Sequence, residues 1–425
     1  MGVMRRREFL ALGALTALSA SRRGRSAAAR SASAAARVVI VGGGFAGSAC
    51  ALRLRRLSPQ LDVSLIDPDD PYLTCPMSDA VVVEERRLSA ISAPRSGLAH
   101  AGVRVVRDRA VGIDAAQQRI TLQSGGSIGY DKAVIAPGIR FIFGTPAGYD
   151  EAATGQMPHA WQAGAQTQLL AAQLRAMADG DTLAISVPKG LMRCPPGPYA
   201  RAGMLADWLR RHRRRTKVLI FDSNNHFPRQ DVFSAAWQEL YPGMIEWIAP
   251  ADGGSVERVD VYTRTLYSSS GAHRVALANI IPPQAPGQLA VDAGLASDHG
   301  WCPVHAATFE SQLVADVHVI GDACIAGDMP KAASAAASQA RHCATAIAAA
   351  LEGRPVPAPD LDSVCYSLVA PRAAFAIRGK FALVDGEIRQ VAAAAESAAD
   401  RTPSAQRARE AGEWYQELRA QCFGH

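Results

Sequence analysis

A glycine-rich turn near the start of the chain constrains its fold more than any other segment. Gly42, Gly44 and Gly47 form a G-x-G-x-x-G pattern between the strand-like run 37–41 and a helical pattern. Asp67 follows twenty residues after Gly47, at the end of the next strand-like run. In a βαβ unit such glycines bring a pyrophosphate close to a helix N-terminus, and the carboxylate binds ribose hydroxyls. The pattern predicts a dinucleotide site, and a coincidental glycine turn is the alternative.

The far end of the same predicted domain distinguishes FAD from NAD. Gly321 and Asp322 end the apolar run 317–320 and precede an alanine-rich helical pattern. They resemble the distal flavin motif of flavoproteins with two dinucleotide-binding domains, in which the aspartate binds the ribityl chain. An ordinary turn at a strand end is the alternative. The segment Ala136-Pro137-Gly138 also resembles the strand-to-turn signature of those proteins. Together the two segments predict FAD.

A second βαβ pattern contains a cysteine where a glycine loop is expected. Strand-like runs over 182–187 and 217–222 flank a helical pattern over 199–210, and the loop before this helix carries Cys194 among prolines. Such a loop cannot seat the pyrophosphate of a nicotinamide cofactor. We therefore expect electrons to reach the flavin through sulfur chemistry at a thiol or disulfide.

These patterns predict an α/β fold with two Rossmann-like domains, the second inserted in the first, and a small C-terminal α+β domain. A length of 425 residues suits two or three domains, and the proline-rich tract 354–359 predicts a stiff linker. The predicted divisions are a leader over 1–35, the FAD-binding domain over 36–150 and 279–353, the second Rossmann-like domain over 151–278, and the C-terminal domain over 354–425.

The first residues have the pattern of an export signal. Arg6 and Arg7 precede Phe9 and Leu10, and an apolar stretch over 11–20 follows. This arrangement resembles a twin-arginine signal, which serves proteins that are exported already folded. An ordinary secretory leader or an uncleaved anchor is the alternative. We expect a periplasmic protein, in a compartment where disulfides persist.

The composition argues against several classes of protein. Hydrophobic residues at 48% and charged residues at 20% are typical of a globular chain, and we expect no integral membrane contact. Much of the net charge of +6 lies in the leader and in the run 210–215, which has no interleaved aromatic residues. A solvated helix end therefore explains that run better than a nucleic-acid site. The eight cysteines form no C-x-x-C pattern, so we expect neither a metal site nor haem attachment in this chain.

Longer segments connect these motifs to one family. After the leader, the chain resembles the flavoprotein subunit of flavocytochrome c sulfide dehydrogenase, which is related to sulfide:quinone oxidoreductases and other disulfide reductase-like flavoproteins. The segments that carry the resemblance are Arg193-Cys194-Pro195-Pro196-Gly197-Pro198-Tyr199, Pro158-His159-Ala160-Trp161, Met244-Ile245-Glu246-Trp247, Gly300-Trp301-Cys302-Pro303-Val304, Gly321-Asp322-Ala323-Cys324-Ile325-Ala326 and Cys365-Tyr366-Ser367.

The resemblance implies a mechanism built on three cysteines. It implies that Cys75 bonds covalently to FAD and that Cys194 and Cys365 form a redox-active disulfide above the flavin. Hydrosulfide then attacks one sulfur of the pair and leaves a persulfide, and the released thiolate reduces the flavin. The product is sulfur or polysulfide. Electrons pass to a c-type haem on a partner chain, so the resemblance also implies a heterodimer with a cytochrome subunit.

Three positions depart from the family pattern. An acidic residue follows the tyrosine of the proline-rich loop in the family, whereas this chain has Ala200. Pro76 and Met77 follow Cys75, where the family typically has aromatic or aliphatic residues. The departures concern proton transfer and the covalent link to the flavin.

Other interpretations of the cysteine pair and of the electron acceptor remain open. The Cys194–Cys365 disulfide could be a structural staple, and the protein could be a non-catalytic electron-transfer flavoprotein or assembly factor. A sulfide:quinone oxidoreductase shares the fold, but such enzymes dock on membranes through apolar or amphipathic C-terminal helices. The segment 407–425 carries six charged side chains and favours a soluble interface.

Overall fold

The computed structural model describes residues 35–298, 300–392 and 399–424. The predicted leader lies outside these residues, apart from its last position.

The first segment of the chain begins with the predicted βαβ unit. Four of the five residues of its first strand are buried, as expected for a strand that is covered on both faces. The elements in chain order are β1 (Arg37–Val41), α1 (Phe45–Leu57), β2 (Asp62–Ile66), β3 (Tyr72–Leu73), α2 (Ser78–Val82), β4 (Ser92–Ala93), α3 (Ser96–His100), β5 (Arg104–Val106), β6 (Ala110–Asp114), β7 (Arg119–Leu122), β8 (Ser127–Gly129), β9 (Lys132–Ile135) and β10 (Ile139–Phe141).

The middle segment repeats the strand-helix-strand plan. Its longest helix begins at Gly197 with a proline in the first turn, and basic residues fill the last turn, where they oppose the negative end of the helix dipole. The elements are α4 (Ala165–Ala176), β11 (Thr182–Val187), α5 (Gly197–His212), β12 (Lys217–Asp222), α6 (Gln230–Leu240), β13 (Ile245–Ile248), β14 (Arg258–Asp260), β15 (Thr265–Ser268), β16 (Gly271–Arg274) and β17 (Leu277–Ile280).

The last segment contains the alanine-rich helix and a long antiparallel hairpin. Its final helix starts at the N-cap Ser404, whose side chain accepts a hydrogen bond from the Arg407 N–H. The elements are β18 (Gln284–Pro286), α7 (Gln288–Asp292), β19 (Cys302–Pro303), β20 (Val317–Val319), β21 (Cys324–Ile325), α8 (Ala333–Leu351), β22 (Asp360–Ala370), β23 (Ala373–Val384), β24 (Glu387–Ala392) and α9 (Ala405–Phe423).

Two parallel sheets confirm the predicted pair of Rossmann-like folds. The first has the strand order β20-β9-β1-β2-β5, and the second has the order β13-β12-β11-β17. Strand β20 pairs with β9, although the whole second sheet lies between them in the sequence. The second fold is therefore inserted in the first, as predicted.

One strand crosses a predicted domain boundary. The sequence pattern assigns residues from 279 onward to the first domain, but β17 pairs in parallel with β11 over Leu183 to Ser186. Leu277, Ala278 and Ile280 are fully buried within the second fold. The chain thus returns to the first fold only after Ile280, because the fourth strand is needed to cover the edge of β11.

The C-terminal segment is an α+β unit, as predicted. Strands β22, β23 and β24 form an antiparallel sheet, and α9 then runs back to the first βαβ unit. The Phe423 ring at the end of α9 lies 5.3 Å from the Phe45 ring and 5.7 Å from the Tyr72 ring, measured between centroids. The end of the chain therefore packs against the start of α1.

Among the described residues, no helix combines the length and the apolar character needed to cross a membrane.

Candidate functional site

A cavity lies where the two parallel sheets and the C-terminal sheet meet. It contains about 1420 Å³ of empty space, including its mouth. Seven of the ten predicted site residues line it, and they come from segments far apart in the sequence: Gly44, Cys75, Gly138, Cys194, Gly321, Asp322 and Cys365. The other three, Gly42, Gly47 and Asp67, lie in or beneath the glycine turn.

The glycine turn directs the N-terminus of α1 into the cavity. Gly42 has a φ of 95°, and a Cβ added there would lie 2.2 Å from the Ala136 carbonyl oxygen. A side chain at this position would therefore separate β1 from the turn after β9. Gly44, Phe45 and Ala46 at the start of α1 line the cavity, and no side chain caps the helix. The unpaired N–H groups of a helix N-terminus suit a pyrophosphate.

Asp67 is held under the turn by an arginine that the sequence patterns did not indicate. Its Oδ1 lies 3.0 Å from the Arg95 guanidinium, and its Oδ2 accepts a hydrogen bond from the Gly43 N–H. Arg95 is only 3% exposed and also donates to the Gly43 carbonyl. Arg95 follows Pro94 in an irregular segment, so no periodicity could have identified it. Binding of a ribose by Asp67 stays a prediction.

The distal turn presents the carboxylate of the half-buried Asp322 to the same cavity. Gly321 has a φ of 76°, and its N–H donates to the Gln339 side chain at 2.8 Å. Within the described residues, none donates a hydrogen bond to the Asp322 carboxylate, which lines the cavity. Burial raises the pKa of Asp322, although Arg193 and Lys331 oppose the shift. An acceptor that faces a cavity and lacks protein donors fits hydroxyl groups of a bound flavin.

The cysteine loop takes a strained conformation at Cys194. This residue has a φ of 54°, and its N–H donates to the Lys331 carbonyl at 2.8 Å. The Trp161 indole N–H donates to the Arg193 carbonyl at 3.0 Å. Cys194 is exposed as a whole and lines the cavity, where desolvation of the sulfur raises its pKa above the usual range, with the neighbouring Cys365 and Asp79 adding to the shift. The backbone strain is therefore located at a residue that is predicted to be reactive, as is common in functional sites.

Cys365 reaches the same cavity from β22, where it pairs with Ile377 of β23. Its sulfur lies 3.7 Å from the Ser334 hydroxyl at the start of α8. Burial raises the pKa of Cys365, whereas hydrogen bonds from Ser334 and Ser363 lower it. Both Cys194 and Cys365 are thiols in this structure. Their shared position on the cavity wall is compatible with the predicted disulfide.

Cys75 and Arg193 form another part of the wall. The Cys75 sulfur lies 3.8 Å from the Trp161 carbonyl oxygen, to which the Arg193 guanidinium also donates. Although burial alone lowers the pKa of Arg193, the nearby Cys75, Asp322 and Tyr72 raise it. The guanidinium thus stays charged beside two of the predicted cysteines, and it gives this wall a positive potential that attracts anions.

A buried arginine that the sequence patterns missed organises the loop behind Cys194. Arg201 is 3% exposed, donates to Asp79 at 2.7 Å, and lies 4.8 Å above the Trp161 ring. It also donates to the carbonyls of His159 and Ala160. A charged residue inside an otherwise apolar helix face was the available signal. Asp79 lines the cavity together with Ala200, so the wall carries a carboxylate although this chain has alanine at the position where the family has an acidic residue.

Comparisons with known proteins agree with this arrangement. A family model described as the central part of the sulfide dehydrogenase [flavocytochrome c] flavoprotein chain matches residues 167–282. A pyridine nucleotide-disulphide oxidoreductase model matches residues 36–168, and the flavocytochrome c sulphide dehydrogenase flavin-binding model matches residues 357–423. The sulfide dehydrogenase [flavocytochrome c] flavoprotein chain of Chlorobaculum thiosulfatiphilum is 51% identical over 45 residues, which are 94% of that sequence and 11% of this chain.

The chain belongs to the flavocytochrome c sulfide dehydrogenase flavoprotein family. The suspected resemblance is therefore confirmed, and with it FAD as the cofactor of this family member. A covalent bond at Cys75 and a haem on a partner stay predictions.

The flavocytochrome c flavoprotein family shares its fold with quinone-linked relatives. Sulfide-quinone reductase of Aquifex aeolicus (strain VF5) is 37% identical over 109 residues, which span 25% of this chain and 25% of that enzyme. The structure of the sulfide:quinone oxidoreductase from Aquifex aeolicus superposes on this protein with a TM-score of 0.73 and 18% identity. The superposition covers 92% of this chain and 93% of the oxidoreductase chain. Putidaredoxin reductase in its covalent putidaredoxin complex matches 83% of this chain and 89% of its own, with a TM-score of 0.58 and 17% identity. These two structures establish the fold alone.

Proposed function

We propose that this flavoprotein oxidises hydrosulfide to sulfur or polysulfide through a Cys194–Cys365 disulfide and passes the electrons to a c-type cytochrome subunit. The observation that carries the proposal is the convergence of both cysteines on the cavity that Gly44, Gly321 and Asp322 also line. A disulfide that only stapled the sheets together would not need to face a cofactor cavity.

The residues of the wall suit attack by a small anion. The charged Arg193 guanidinium lies next to Cys194 and attracts hydrosulfide. Hydrosulfide forms a bond to one sulfur of the pair while the bond between the two cysteines breaks, which leaves a persulfide on one cysteine and a thiolate on the other. A second hydrosulfide removes the outer sulfur as disulfane and leaves both cysteines as thiolates.

Oxidation of those two thiolates back to the disulfide releases two electrons. FAD supplies the chemistry that takes up an electron pair and releases it as single electrons. Gly44, Asp322 and Cys75 would hold the cofactor, and the hydrogen bond from Trp161 to Arg193 fixes the Cys194 loop at the cavity wall. The loop between β11 and α5 carries Pro195 and Pro196 in place of a nucleotide-binding glycine pattern, which supports sulfide and not a nicotinamide as the electron donor.

We also propose that the protein is exported to the periplasm, where its cytochrome partner is expected. Cell fractionation with mass determination of the mature N-terminus tests this point, because a retained Arg6-Arg7 segment in a cytoplasmic fraction contradicts it.

An anaerobic titration of the purified holoprotein tests the function. Sulfide should bleach the flavin absorbance, NADH should not, and the reduced protein should reduce an added c-type cytochrome faster than a soluble quinone.

Acid precipitation of the same sample should retain the yellow colour in the pellet if Cys75 is bonded to FAD, and free FAD in the supernatant contradicts that bond.

Substitutions decide whether the cysteine pair is responsible. Cys194→Ser and Cys365→Ser should each retain flavin and lose bleaching by sulfide, while the control Cys343→Ala, buried in α8 away from the cavity, should behave like wild type. A cysteine variant that oxidises sulfide at the wild-type rate would falsify the mechanism. Preference for the quinone would instead indicate a sulfide:quinone oxidoreductase.

A further inference from the structure

The surroundings of Cys365 differ from those of Cys194 in one chemical respect. Ser334, in the first turn of α8, places its hydroxyl 3.7 Å from the Cys365 sulfur and 3.1 Å from the Ser363 hydroxyl. By contrast, no described residue donates a hydrogen bond to the Cys194 sulfur, and the Asp79 carboxylate is among its neighbours. Hydroxyl donors therefore face only one of the two sulfurs.

The direction of the hydrogen bonds around Ser334 follows from its neighbours. The Val364 N–H donates to the Ser334 oxygen at 3.1 Å, so this oxygen already accepts one bond and its proton is available to an acceptor. The two acceptors in reach are the Ser363 oxygen and the Cys365 sulfur. An anionic sulfur is the stronger acceptor, so it attracts the Ser334 proton, and Ser363 can turn its own proton toward Ser334.

Both serine hydroxyls are buried, which strengthens their effect on the Cys365 sulfur. Ser334 is 9% exposed and Ser363 is 4% exposed, so bulk water does not replace either hydroxyl. A buried anion that lacks donors is costly, and a hydrogen bond to a charged group contributes more than one between neutral groups. The first turn of a helix also carries partial positive charge.

We propose that Ser334, supported by Ser363, is a positioning residue that stabilises the thiolate of Cys365 when the disulfide opens. The inference rests on the proposed redox role of the Cys194–Cys365 pair. The two serines hold the charge on Cys365 until its electrons leave.

The test measures the thiolate itself and needs no sulfide. In holoprotein that carries Cys194→Ser, Cys365 lacks its disulfide partner, and the rate of its alkylation by iodoacetamide is measured against pH by mass spectrometry of the peptide that contains it. Ser334→Ala should move the midpoint of this profile about one pH unit upward, with roughly tenfold slower alkylation near neutral pH. Ser334→Thr keeps a hydroxyl and should restore most of the wild-type profile.

Ser338 provides the matched control. It lies one turn further along α8, is 2% exposed, and accepts the Asp362 N–H at 3.0 Å, so Ser338→Ala removes a comparable contact between α8 and β22 without touching Cys365. The pH profile of Cys365 alkylation in the Ser338→Ala variant should match that of the parent Cys194→Ser protein. Ser363→Ala should raise the midpoint of the Cys365 alkylation profile by a smaller amount. This variant tests the proposal if Ser334→Ala does not fold. An unchanged profile in the folded serine variants overturns the proposal, even if sulfide oxidation proves correct. An upward shift, combined with a holoprotein that has both cysteines and is not bleached by sulfide, refutes the function and leaves the thiolate role intact.

Discussion

Gly197 shows how little room the cysteine loop has. A Cβ at this position would lie 2.7 Å from the Trp161 ring and 3.0 Å from the Cys194 sulfur. The Trp161 ring is itself held by its hydrogen bond to Arg193 and by the Arg201 guanidinium on its face. The tryptophan therefore cannot move away easily, and an added methyl group would have to displace Cys194.

We expect Gly197→Ala to lower the free energy of unfolding by about 1–3 kcal/mol, because it overpacks a closed site. It should also slow flavin bleaching by sulfide, because it displaces Cys194. Urea unfolding and stopped-flow absorbance measure the two effects. Gly155→Ala is the control, since nothing lies within 4 Å of its added Cβ. Wild-type bleaching in a stable Gly197→Ala variant would contradict this account of the loop.

Sequence patterns identified the residues with distinctive chemistry and missed those that support them. Cys75, Cys194, Cys365 and Asp322 line one cavity, as the motifs and the family resemblance implied together. Arg201 and Asp79 were not found, because one charged residue on an apolar helix face and one aspartate in the short helix α2 do not by themselves reveal a partner. Their importance comes from long-range contacts, which only the folded chain brings together.

At the scale of elements, the contact between α9 and α1 ties the C-terminal unit to the predicted pyrophosphate site. Phe423 is fully buried and contacts the rings of Phe45 and Tyr72, both of which line the cavity. A Cβ at Gly97 would lie 2.2 Å from the Phe423 carbonyl oxygen, so the backbones also approach closely. The end of the chain therefore supports one side of the cavity.

Phe423→Ala should lower the free energy of unfolding by about 3–5 kcal/mol, the usual cost of removing a buried ring. In a Cys75→Ala background it should also weaken FAD retention, because Phe45 and Tyr72 lose their packing partner. Urea unfolding and filtration of free flavin measure these changes. Tyr262→Ala removes a ring that is 91% exposed and should change neither quantity. Equal effects of the two substitutions would refute a supporting role for α9.

Element types were more predictable than the limits of the domains. The βαβ units follow from glycine placement and apolar runs, so both parallel sheets could be anticipated. The assignment of β17 to the second sheet could not, because a strand of only four residues fits either sheet and only the pairing of Leu183 with Leu277 decides it.

At the scale of the whole molecule, two buried histidines couple stability to pH. Burial lowers the pKa of His159 to about 4, with Arg201 and Arg193 contributing, and burial also lowers the pKa of His318 to about 4. The backbone N–H of Trp161 donates to Nδ1 of His159 at 3.0 Å, and Nδ1 can accept this bond only when the imidazole ring is neutral. In the unfolded chain both imidazoles titrate near their ordinary pKa of about 6.5.

Stability should therefore fall as the pH drops from about 6.5 toward 4, since the unfolded chain then binds protons that the folded chain excludes. Each histidine should remove about 2 kcal/mol between pH 7 and pH 5. Urea unfolding at both values checks this. His159→Asn keeps an acceptor for the Trp161 N–H and should lose less stability over that interval than wild type. The exposed His226→Asn should lose as much as wild type, and identical losses in all three proteins would exclude the role of His159.

The positions of Cys194 and Cys365 in the chain have a further consequence for the oxidised protein. A bond between them closes a covalent ring of about 170 residues, which contains β12 to β21 and all of α8. By chain entropy alone, such a ring stabilises the fold by about 5 kcal/mol. Each proposed catalytic cycle would open and reclose this ring. The resting enzyme would then be more resistant to denaturation and proteolysis than the same molecule in mid-turnover, and its lifetime would depend on how quickly its partner removes electrons.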